Sequence, residues 1–228
     1  MNNDVIYLLV KFGTKENIDK MQKGIIYCKN LEYYHNLYWQ KKDKDMGDPY
    51  EGRYIGKLKN KNIELVIDDT NKIPIFCMYG LKRSDIRDYN NFNPMEKFKD
   101  MVNKNYWQSA LIITDQVEFF NRMRIKCNEN NIKALGNIVE YIDINLNSEE
   151  RLIKYLNNPS KIAFWKDDYY INQYEYRFVF YEERVEDDFV IDIGDISDIS
   201  KVYYGKELFD FIEDEYRIVD SQIRTVEI

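Results

Sequence analysis

Residues 169–181 read YYINQYEYRFVFY, and from position 174 to position 180 every second residue is aromatic. Successive side chains of a β-strand point to opposite faces, so this period of two predicts a strand over 171–181 with one buried face. The positions predicted to face the core are Tyr174, Tyr176, Phe178 and Phe180. The strand then places Gln173, Glu175 and Arg177 on its other face, which is either the wet face of an antiparallel sheet or the wall of a site.

The remaining apolar runs are short, and amphipathic segments lie between them in no regular order. Strands are predicted at 5–12, 25–28, 53–58, 63–67, 74–81, 110–113, 137–144, 189–193, 202–204 and 223–228, and helices at 15–23, 31–39, 95–103, 116–127, 148–156 and 208–212. Because strands and helices do not alternate as βαβα, this pattern predicts an α+β fold with a mixed, mostly antiparallel sheet and interspersed helices. No Pro-, Gly- or Ser-rich linker interrupts the 228 residues, so a single domain over 1–228 is predicted.

Negative charge is concentrated in the acidic C-terminal portion, residues 182–228. The whole chain has a net charge of −7, whereas this portion holds 15 acidic and 5 basic residues. Such a balance argues against direct nucleic-acid binding and favours contact with a basic protein, for which Glu213, Asp214 and Glu215 are candidate partner-binding residues. The alternative is a solvated surface that keeps the protein in solution.

Composition also bears on location and on metal binding. No apolar run is long enough to cross a bilayer, so we expect a cytoplasmic protein without a membrane partner. Cys28, Cys77 and Cys127 form no CxxC pair, which is typical of a reducing compartment. The chain has one histidine and no clustered ligands, so no metal site is expected.

Two short segments supply the candidate ligand-binding residues. In GDPYEG, residues 47–52, two glycines and a proline indicate a tight turn that passes close to another group. Asp48 and Glu51 of this turn are suited to bind a ligand hydroxyl, or to accept hydrogen bonds from local amides. Arg177 and Tyr170 join them as candidate ligand-binding residues. Lys11 ends the first apolar strand, where it reaches into a cleft or extends to the surface.

Three blocks in order resemble a family of uncharacterised proteins from bacteria and their phages. The blocks are IYLLVKFGTKENIDKMQKGIIYCKNLEYY at 6–34, GDPYEG at 47–52 and FWKDDYYINQYEYRFVF at 164–180. The family pattern is a lysine-ended first strand, a helix that ends in glycine, a GDP-x-EG loop and a late strand of the Q-x-E-Y-R type. This resemblance implies no established activity.

A remoter similarity is to ADP-ribosyltransferases, which are α+β proteins with a catalytic glutamate on a late strand. Their Gln-x-Glu pattern matches Gln173-Tyr174-Glu175, and Lys11 lies roughly where their first-strand basic residue stands. The resemblance implies catalytic roles for Glu175, Gln173 and Lys11, with NAD as cofactor. Glu175 would hold the nicotinamide ribose and stabilise an oxocarbenium-like transition state. Two departures are a lysine in place of arginine or histidine and the lack of a Ser-Thr-Ser strand.

The sequence therefore leaves two functions open. We expect a protein of phages or mobile elements that binds a macromolecular partner, such as an inhibitor of a bacterial defence nuclease with an anti-CRISPR role. An acidic, tyrosine-rich surface suits that recognition and needs no cofactor. The alternative is an NAD-dependent ADP-ribosyltransferase-like enzyme with Glu175 as its catalytic carboxylate. The chain has no P-loop, GxGxxG or GxSxG motif, which removes most other enzyme classes.

Overall fold

The structure is a computed structural model that describes residues 6–42, 47–58, 61–82, 109–144, 146, 149–208 and 210–211. The strands are β1 Ile6–Gly13, β2 Ile25–Asn30, β3 Tyr54–Leu58, β4 Lys61–Leu65, β5 Pro74–Lys82, β6 Ser109–Ile113, β7 Leu135–Ile138, β8 Glu140–Ile142, β9 Trp165–Asp167, β10 Glu175–Val179, β11 Asp188–Asp192 and β12 Ser200–Tyr204. The α-helices with assigned bounds are α1 Lys15–Gln22, α2 Leu31–Lys41, α3 Gln116–Glu129 and α4 Glu149–Asn157. Short 3₁₀ helices cover Thr70–Lys72, Pro159–Phe164 and Asp168–Gln173.

The fold class is α+β, as predicted. Eight strands form one large sheet whose registered pairs are antiparallel, and two further pairs stand apart as the β3–β4 hairpin and the parallel β8–β9 pair. Helices lie between the strands in irregular order. Among the described residues, no helix is long and apolar enough to cross a membrane.

The chain forms two compact units. The first takes residues from 1–25, 78–122 and 193–228, and the second takes residues from 26–77 and 123–192. Strand β5 contributes residues to both units, since the division falls between Cys77 and Met78. The single domain expected from the sequence stays a prediction, because compactness alone does not show whether a unit folds independently.

The first unit has β1 at its centre. One edge of β1 pairs with the second half of β5 and the other with β6, and β12 pairs with the far edge of β6. Every residue of β6 is buried. Helix α1 begins after Thr14, whose side chain accepts a hydrogen bond from the Asn17 N–H, and it buries Ile18 and Met21. These features of α1 confirm the prediction for the helix.

The second unit has the first half of β5 between β2 and β10. Strand β11 pairs with β2, and β7 pairs with β10. The β3–β4 hairpin, α4 and the 3₁₀ helix Pro159–Phe164 supply an apolar core that is rich in aromatic side chains. That core contains Leu31, Tyr54, Ile73, Ile75, Tyr155, Ile162, Ala163, Trp165 and Val179.

The predicted strand over 171–181 is wrong in its first half. Residues Asp168–Gln173 form a 3₁₀ helix, and the strand begins only at Glu175. The Asp167 carboxylate caps the 3₁₀ helix by accepting the Tyr169 N–H, and Tyr174 ends it in the left-handed conformation with φ 44°. An aromatic at every second position has the period of a strand but cannot exclude a short 3₁₀ turn, which depends on the cap.

The predicted strand over 137–144 is in fact two strands. Strand β7 pairs antiparallel with β10, whereas β8 pairs parallel with β9. Between them, the Val139 N–H donates to the Glu175 carbonyl at 2.9 Å. The chain thus changes partners at Val139, which a continuous run of strand-forming residues does not reveal.

We predict that Gly24→Ala destabilises the first unit much more than Gly194→Ala. Both glycines have positive φ, at 91° and 79°, so alanine is strained at each by about 1–2 kcal/mol. A Cβ on Gly24 would also lie 2.0 Å from the Gly194 carbonyl oxygen, whereas a Cβ on Gly194 meets nothing within 4 Å. Urea unfolding measures both free energies, and equal losses would contradict the predicted backbone contact.

Candidate functional site

Five charged residues of the second unit form a buried ion-pair cluster. Strand β10 supplies Glu175 and Arg177 two positions apart on one face, and β9 supplies Lys166. The loop before β3 supplies Asp48 and Glu51. Asp48, Glu51, Lys166 and Arg177 are buried, and the Glu175 side chain is 16% exposed. The polar face of the late strand is therefore an interior site and not a wet face.

Arg177 is the centre of the cluster and is 1% exposed. Its guanidinium binds Glu51 in a bidentate pair, with Nη1–Oε1 at 2.7 Å and Nη2–Oε2 at 3.0 Å. Its Nε and Nη2 also contact Glu175 Oε2, at 2.7 and 2.6 Å. Nη1 donates in addition to the Ala163 carbonyl at 2.7 Å. One planar side chain thus joins β10, the GDPYEG loop and the 3₁₀ helix Pro159–Phe164.

Lys166 binds the other side of Glu175. Its Nζ donates to Glu175 Oε1 at 3.1 Å and to Gln173 Oε1 at 2.7 Å. It lies 3.8 Å from Glu51 Oε2 and 4.8 Å from the centre of the Tyr170 ring. Each oxygen of Glu175 therefore has a cationic partner within the chain.

Two tyrosine hydroxyls fix the backbone around the cluster. The Tyr170 hydroxyl donates to the Gly47 carbonyl at 3.1 Å, which ties the 3₁₀ helix Asp168–Gln173 to the GDPYEG loop. The Tyr141 hydroxyl of β8 accepts the Glu175 N–H at 2.9 Å. Both hydroxyls therefore bond main-chain groups of the chain, and the ligand-binding role of Tyr170 stays a prediction.

The GDPYEG loop passes close to another group, as its glycines predicted. A Cβ on Gly47 would lie 2.4 Å from the Tyr38 nitrogen and 2.6 Å from the Tyr34 carbonyl oxygen, so the loop packs directly on the α2 backbone. The Asp48 carboxylate accepts the Tyr50 N–H at 2.8 Å, which is the local-amide role. Glu51 instead faces inward and binds Arg177.

The charges inside the cluster set the protonation of Glu175 and Lys166. Burial by itself would raise the pKa of Glu175, but Arg177 and Lys166 outweigh it and lower that pKa to about 2. Burial would lower the pKa of Lys166, but the carboxylates of Glu175 and Glu51 outweigh it and raise that pKa above its ordinary value. Both groups are therefore ionised at neutral pH.

The pKa of Asp48 is shifted in the opposite direction to that of Glu175. Burial, with the Glu51 charge as a second cause, raises the pKa of Asp48 to about 7, although Lys166 and Arg177 oppose this shift. When Asp48 is protonated, two cations face two anions and the cluster is neutral. When Asp48 ionises, the buried cluster carries an excess negative charge, which is costly in a low-dielectric interior.

The structure brings most of the predicted site residues together in the second unit. Gln173, Glu175, Arg177, Asp48, Glu51 and Tyr170 all lie in or around the cluster. Gln173 belongs to the 3₁₀ helix and not to the strand. Lys11 lies in β1 of the first unit, opposite Leu111 of β6. The candidate partner-binding residues Glu213, Asp214 and Glu215 lie outside the described residues, as do the predicted helix over 95–103 and the predicted strand over 223–228.

Sequence analysis missed Lys166 and Tyr141 as members of this site. Lys166 follows Phe164-Trp165 but gave no clear signal, because lysine is rarely buried and its partners come from other segments of the chain. Tyr141 gave no clear signal either, because it contributes only a hydroxyl to a main-chain amide. Its position depends on the parallel pairing of β8 with β9.

One small cavity beside the cluster is formed by residues that the structure describes. This cavity of about 10 Å³ borders Asp48 and Lys166 and continues toward Tyr54, Arg151 and Trp165. This is about the room that a single water molecule needs. Among the described residues, no group of three or more His, Cys, Asp or Glu side chains is placed to hold a metal ion. The arrangement is suited to holding three chain segments together.

Comparison with known proteins gives this chain no relatives. No protein-family model, curated protein or solved structure matches it. The resemblances to the bacterial and phage family and to ADP-ribosyltransferases therefore stay predictions from the quoted motifs.

We predict that Arg177→Met lowers the free energy of unfolding by about 3–5 kcal/mol, because it leaves Glu51 and Glu175 buried without their guanidinium partner. Lys126→Met serves as the matched control. It removes an exposed ion pair to Glu129 and is expected to cost at most about 1 kcal/mol. Chemical denaturation measures both values, and similar small losses would show that Arg177 does not hold the fold together.

We predict that Asp48→Asn makes stability less dependent on pH between about 4 and 7. The native state holds the Asp48 proton up to a pKa of about 7, whereas the unfolded state releases it near the ordinary value of 3.8. The Asp48 contribution to the unfolding free energy therefore falls as pH rises through this range. Glu175 has the opposite effect at lower pH, because its pKa is lowered in the native state. Its contribution to the unfolding free energy is lost as the pH falls from about 4.5 toward 2.

The measurement is thermal unfolding of the wild type and of Asp48→Asn at pH 5 and pH 8. The variant should gain stability relative to the wild type at pH 8, since asparagine still accepts the Tyr50 N–H without the buried charge. Asp187→Asn, at an exposed position, is the control. An unchanged pH dependence in Asp48→Asn would overturn the assignment of a proton to Asp48 in the native state.

Proposed function

We propose that this protein acts by binding a macromolecular partner through an acidic, tyrosine-rich surface, as an inhibitor of a bacterial defence nuclease in the manner of an anti-CRISPR protein. In this proposal the buried ion-pair cluster is a structural element and the function resides on the surface. The partner is a protein, and neither nucleic acid nor NAD is bound.

One observation carries this proposal: the charged groups that the enzyme alternative needs are bonded to one another. The two oxygens of Glu175 contact Lys166 and Arg177, and the two oxygens of Glu51 contact Arg177. A catalytic carboxylate must instead present an oxygen to its substrate at hydrogen-bond distance. The cluster satisfies its own charges, as a structural network does.

The surface of the second unit has the composition of a recognition site. Tyr27 of β2 and Tyr33 and Trp39 of α2 are 46%, 41% and 51% exposed. Tyrosine and tryptophan are enriched at interfaces, where they contribute most of the binding energy. Acidic side chains at Glu186 and Asp187 are exposed in the same unit. Carboxylates attract the lysine and arginine side chains of a basic protein and repel the phosphates of a nucleic acid. The mixture of aromatic and acidic side chains therefore suits a basic protein surface better than a nucleic acid.

A defence nuclease offers such a basic surface. The channel that holds its nucleic acid is lined with positive charge, and an acidic protein competes for that channel by electrostatic complementarity. Residues 182–228 carry a net charge of −10, from 15 acidic and 5 basic residues. This charge favours encounter with a basic partner and repels nucleic acid.

The ADP-ribosyltransferase alternative has one observation in its favour. Glu175 is ionised, with a pKa of about 2, and an ionised carboxylate is what stabilisation of an oxocarbenium ion needs. It also requires that Lys166 or Arg177 release Glu175 and that a space of several hundred Å³ open for NAD. The cavity beside the cluster measures about 10 Å³.

We predict that the purified protein inhibits an RNA-guided nuclease in a one-to-one stoichiometric manner. Glu175→Gln should lose stability, because Lys166 and Arg177 lose a carboxylate partner, but it should inhibit equally well at temperatures where circular dichroism shows it to be folded. The measurement is DNA cleavage by a panel of purified RNA-guided nucleases over a range of inhibitor concentrations. The charge-reversal variant at Glu213, Asp214 and Glu215 tests the electrostatic contribution of the C-terminal portion and is expected to lose inhibition.

Calorimetric titration with NAD provides the opposing result. Binding of NAD in the micromolar range that Glu175→Gln abolishes, together with inhibition at far below one equivalent, would establish the enzyme alternative instead. If neither the wild type nor Glu175→Gln inhibits any nuclease of the panel, the nuclease is rejected as the partner.

A further inference from the structure

A polar groove lies between helix α2 and the segment that precedes β11. Its volume is about 170 Å³, and we call it the α2 groove. Its lining is Lys29, Asn30, Glu32, Tyr33, Asn36, Leu37, Gln40, Glu186 and Asp187. All of these residues belong to the second unit. None of them is part of the buried ion-pair cluster.

Asn30 fixes the two sides of the groove to each other. Its carboxamide Nδ2 donates to the carbonyls of Val185 and Glu186, at 2.7 and 3.2 Å. Its Oδ1 accepts the Tyr33 N–H at 2.8 Å and so caps α2. The side chain is buried, which holds the groove open at a set width.

The aromatic and acidic groups at the groove already bind one cation of the chain. The Lys29 ammonium lies 4.9 Å from the Tyr33 ring centre and 5.4 Å from the Tyr27 ring centre. It also forms an ion pair with Asp188, and that hydrogen bond is the main reason that the pKa of Lys29 is raised. This arrangement shows the chemistry that the surface recognises, an ammonium or guanidinium held by tyrosine rings and a carboxylate.

Negative charge remains on the groove after its ion pairs are formed. Lys29 pairs with Asp188, and Lys72 pairs with Glu186 at 2.5 Å. Arg53 offsets Glu32 only in part, because its Nη2 lies 3.6 Å from the Glu32 carboxylate and its Nε lies nearer to Glu64, at 2.6 Å. Asp187 has no ion-pair partner in the part of the chain that the structure describes. A second cation is therefore attracted to the Asp187 end.

We infer that the α2 groove receives a lysine or arginine side chain from a basic segment of the partner protein. The inference rests on the proposed function, since it names where that partner docks and what it contributes. The incoming cation stacks on the exposed Tyr33 ring and pairs with Asp187, next to the site that Lys29 fills. At about 170 Å³ the groove accommodates one long side chain, but it is smaller than the pockets that enclose nucleotides and other drug-sized ligands.

The test uses a fluorescently labelled hexa-arginine peptide as the probe, with binding to the full chain measured by anisotropy at low salt. A hexacitrulline peptide, which has nearly the same shape without the charge, is the ligand control. We expect the arginine peptide to bind, the citrulline peptide not to bind, and the affinity to fall steeply with added salt.

Two variants locate the binding to the groove. Tyr33→Ala and Asp187→Lys should each weaken binding by about tenfold, through loss of the stacking ring and through reversal of the free charge. Alanine is compatible with helix α2, so the fold should persist and circular dichroism checks it. Tyr169→Ala and Glu150→Lys make the same changes at exposed positions away from the groove and should bind as the wild type does.

The outcomes separate this inference from the proposed function. If Glu150→Lys weakens binding of the arginine peptide as much as Asp187→Lys does, binding depends only on the net charge of the protein, and the inference is overturned. Full nuclease inhibition by Tyr33→Ala and Asp187→Lys would also overturn the inference while the proposed function stands. Groove-dependent peptide binding without inhibition of any nuclease would support the groove and reject the nuclease as partner.

Discussion

The bidentate pair between Arg177 and Glu51 is the interaction on which the second unit depends. It joins residues 126 positions apart in the sequence, and Arg177 and Glu51 are 1% and 2% exposed. Through the Ala163 carbonyl and Glu175, the same guanidinium also holds a 3₁₀ helix and its own strand. A charge buried so deeply is tolerated only where every donor has an acceptor, and this requirement fixes the surrounding segments in one arrangement.

The protonation of Asp48 follows from that arrangement. Burial, with the nearby Glu51 charge as a second cause, raises the pKa of Asp48 to about 7, although Lys166 and Arg177 oppose this shift. Lys166 donates hydrogen bonds to Glu175 and Gln173 on the side of Glu175 that Arg177 does not bind. The cavity described beside the cluster measures about 10 Å³, and we propose that the function resides on the outer surface of the same unit.

Helix α2 connects the interior to that surface. One side of the helix packs against the GDPYEG loop, where only glycine at position 47 permits the approach. Its exposed side carries Tyr33 and Trp39. Because the cluster bonds to the loop and the loop contacts the helix backbone, the buried charges also support the position of these aromatic side chains at the surface.

The fold class, the Thr14 cap of α1 and the shared face of Glu175 and Arg177 could be predicted from local patterns. Spacing and residue type state which side chains share a face, and short-range hydrogen bonds favour a cap at Thr14. Whether the polar face of β10 met water or a site could not be predicted, because alternation specifies two faces and not what covers each. That face is covered by Lys166 of β9 and by the loop at 47–52, which contact Glu175 and Arg177 only through long-range packing. The 3₁₀ helix before β10 has the same cause, since the Asp167 cap and the Lys166–Gln173 bond outweigh a strand-like sequence.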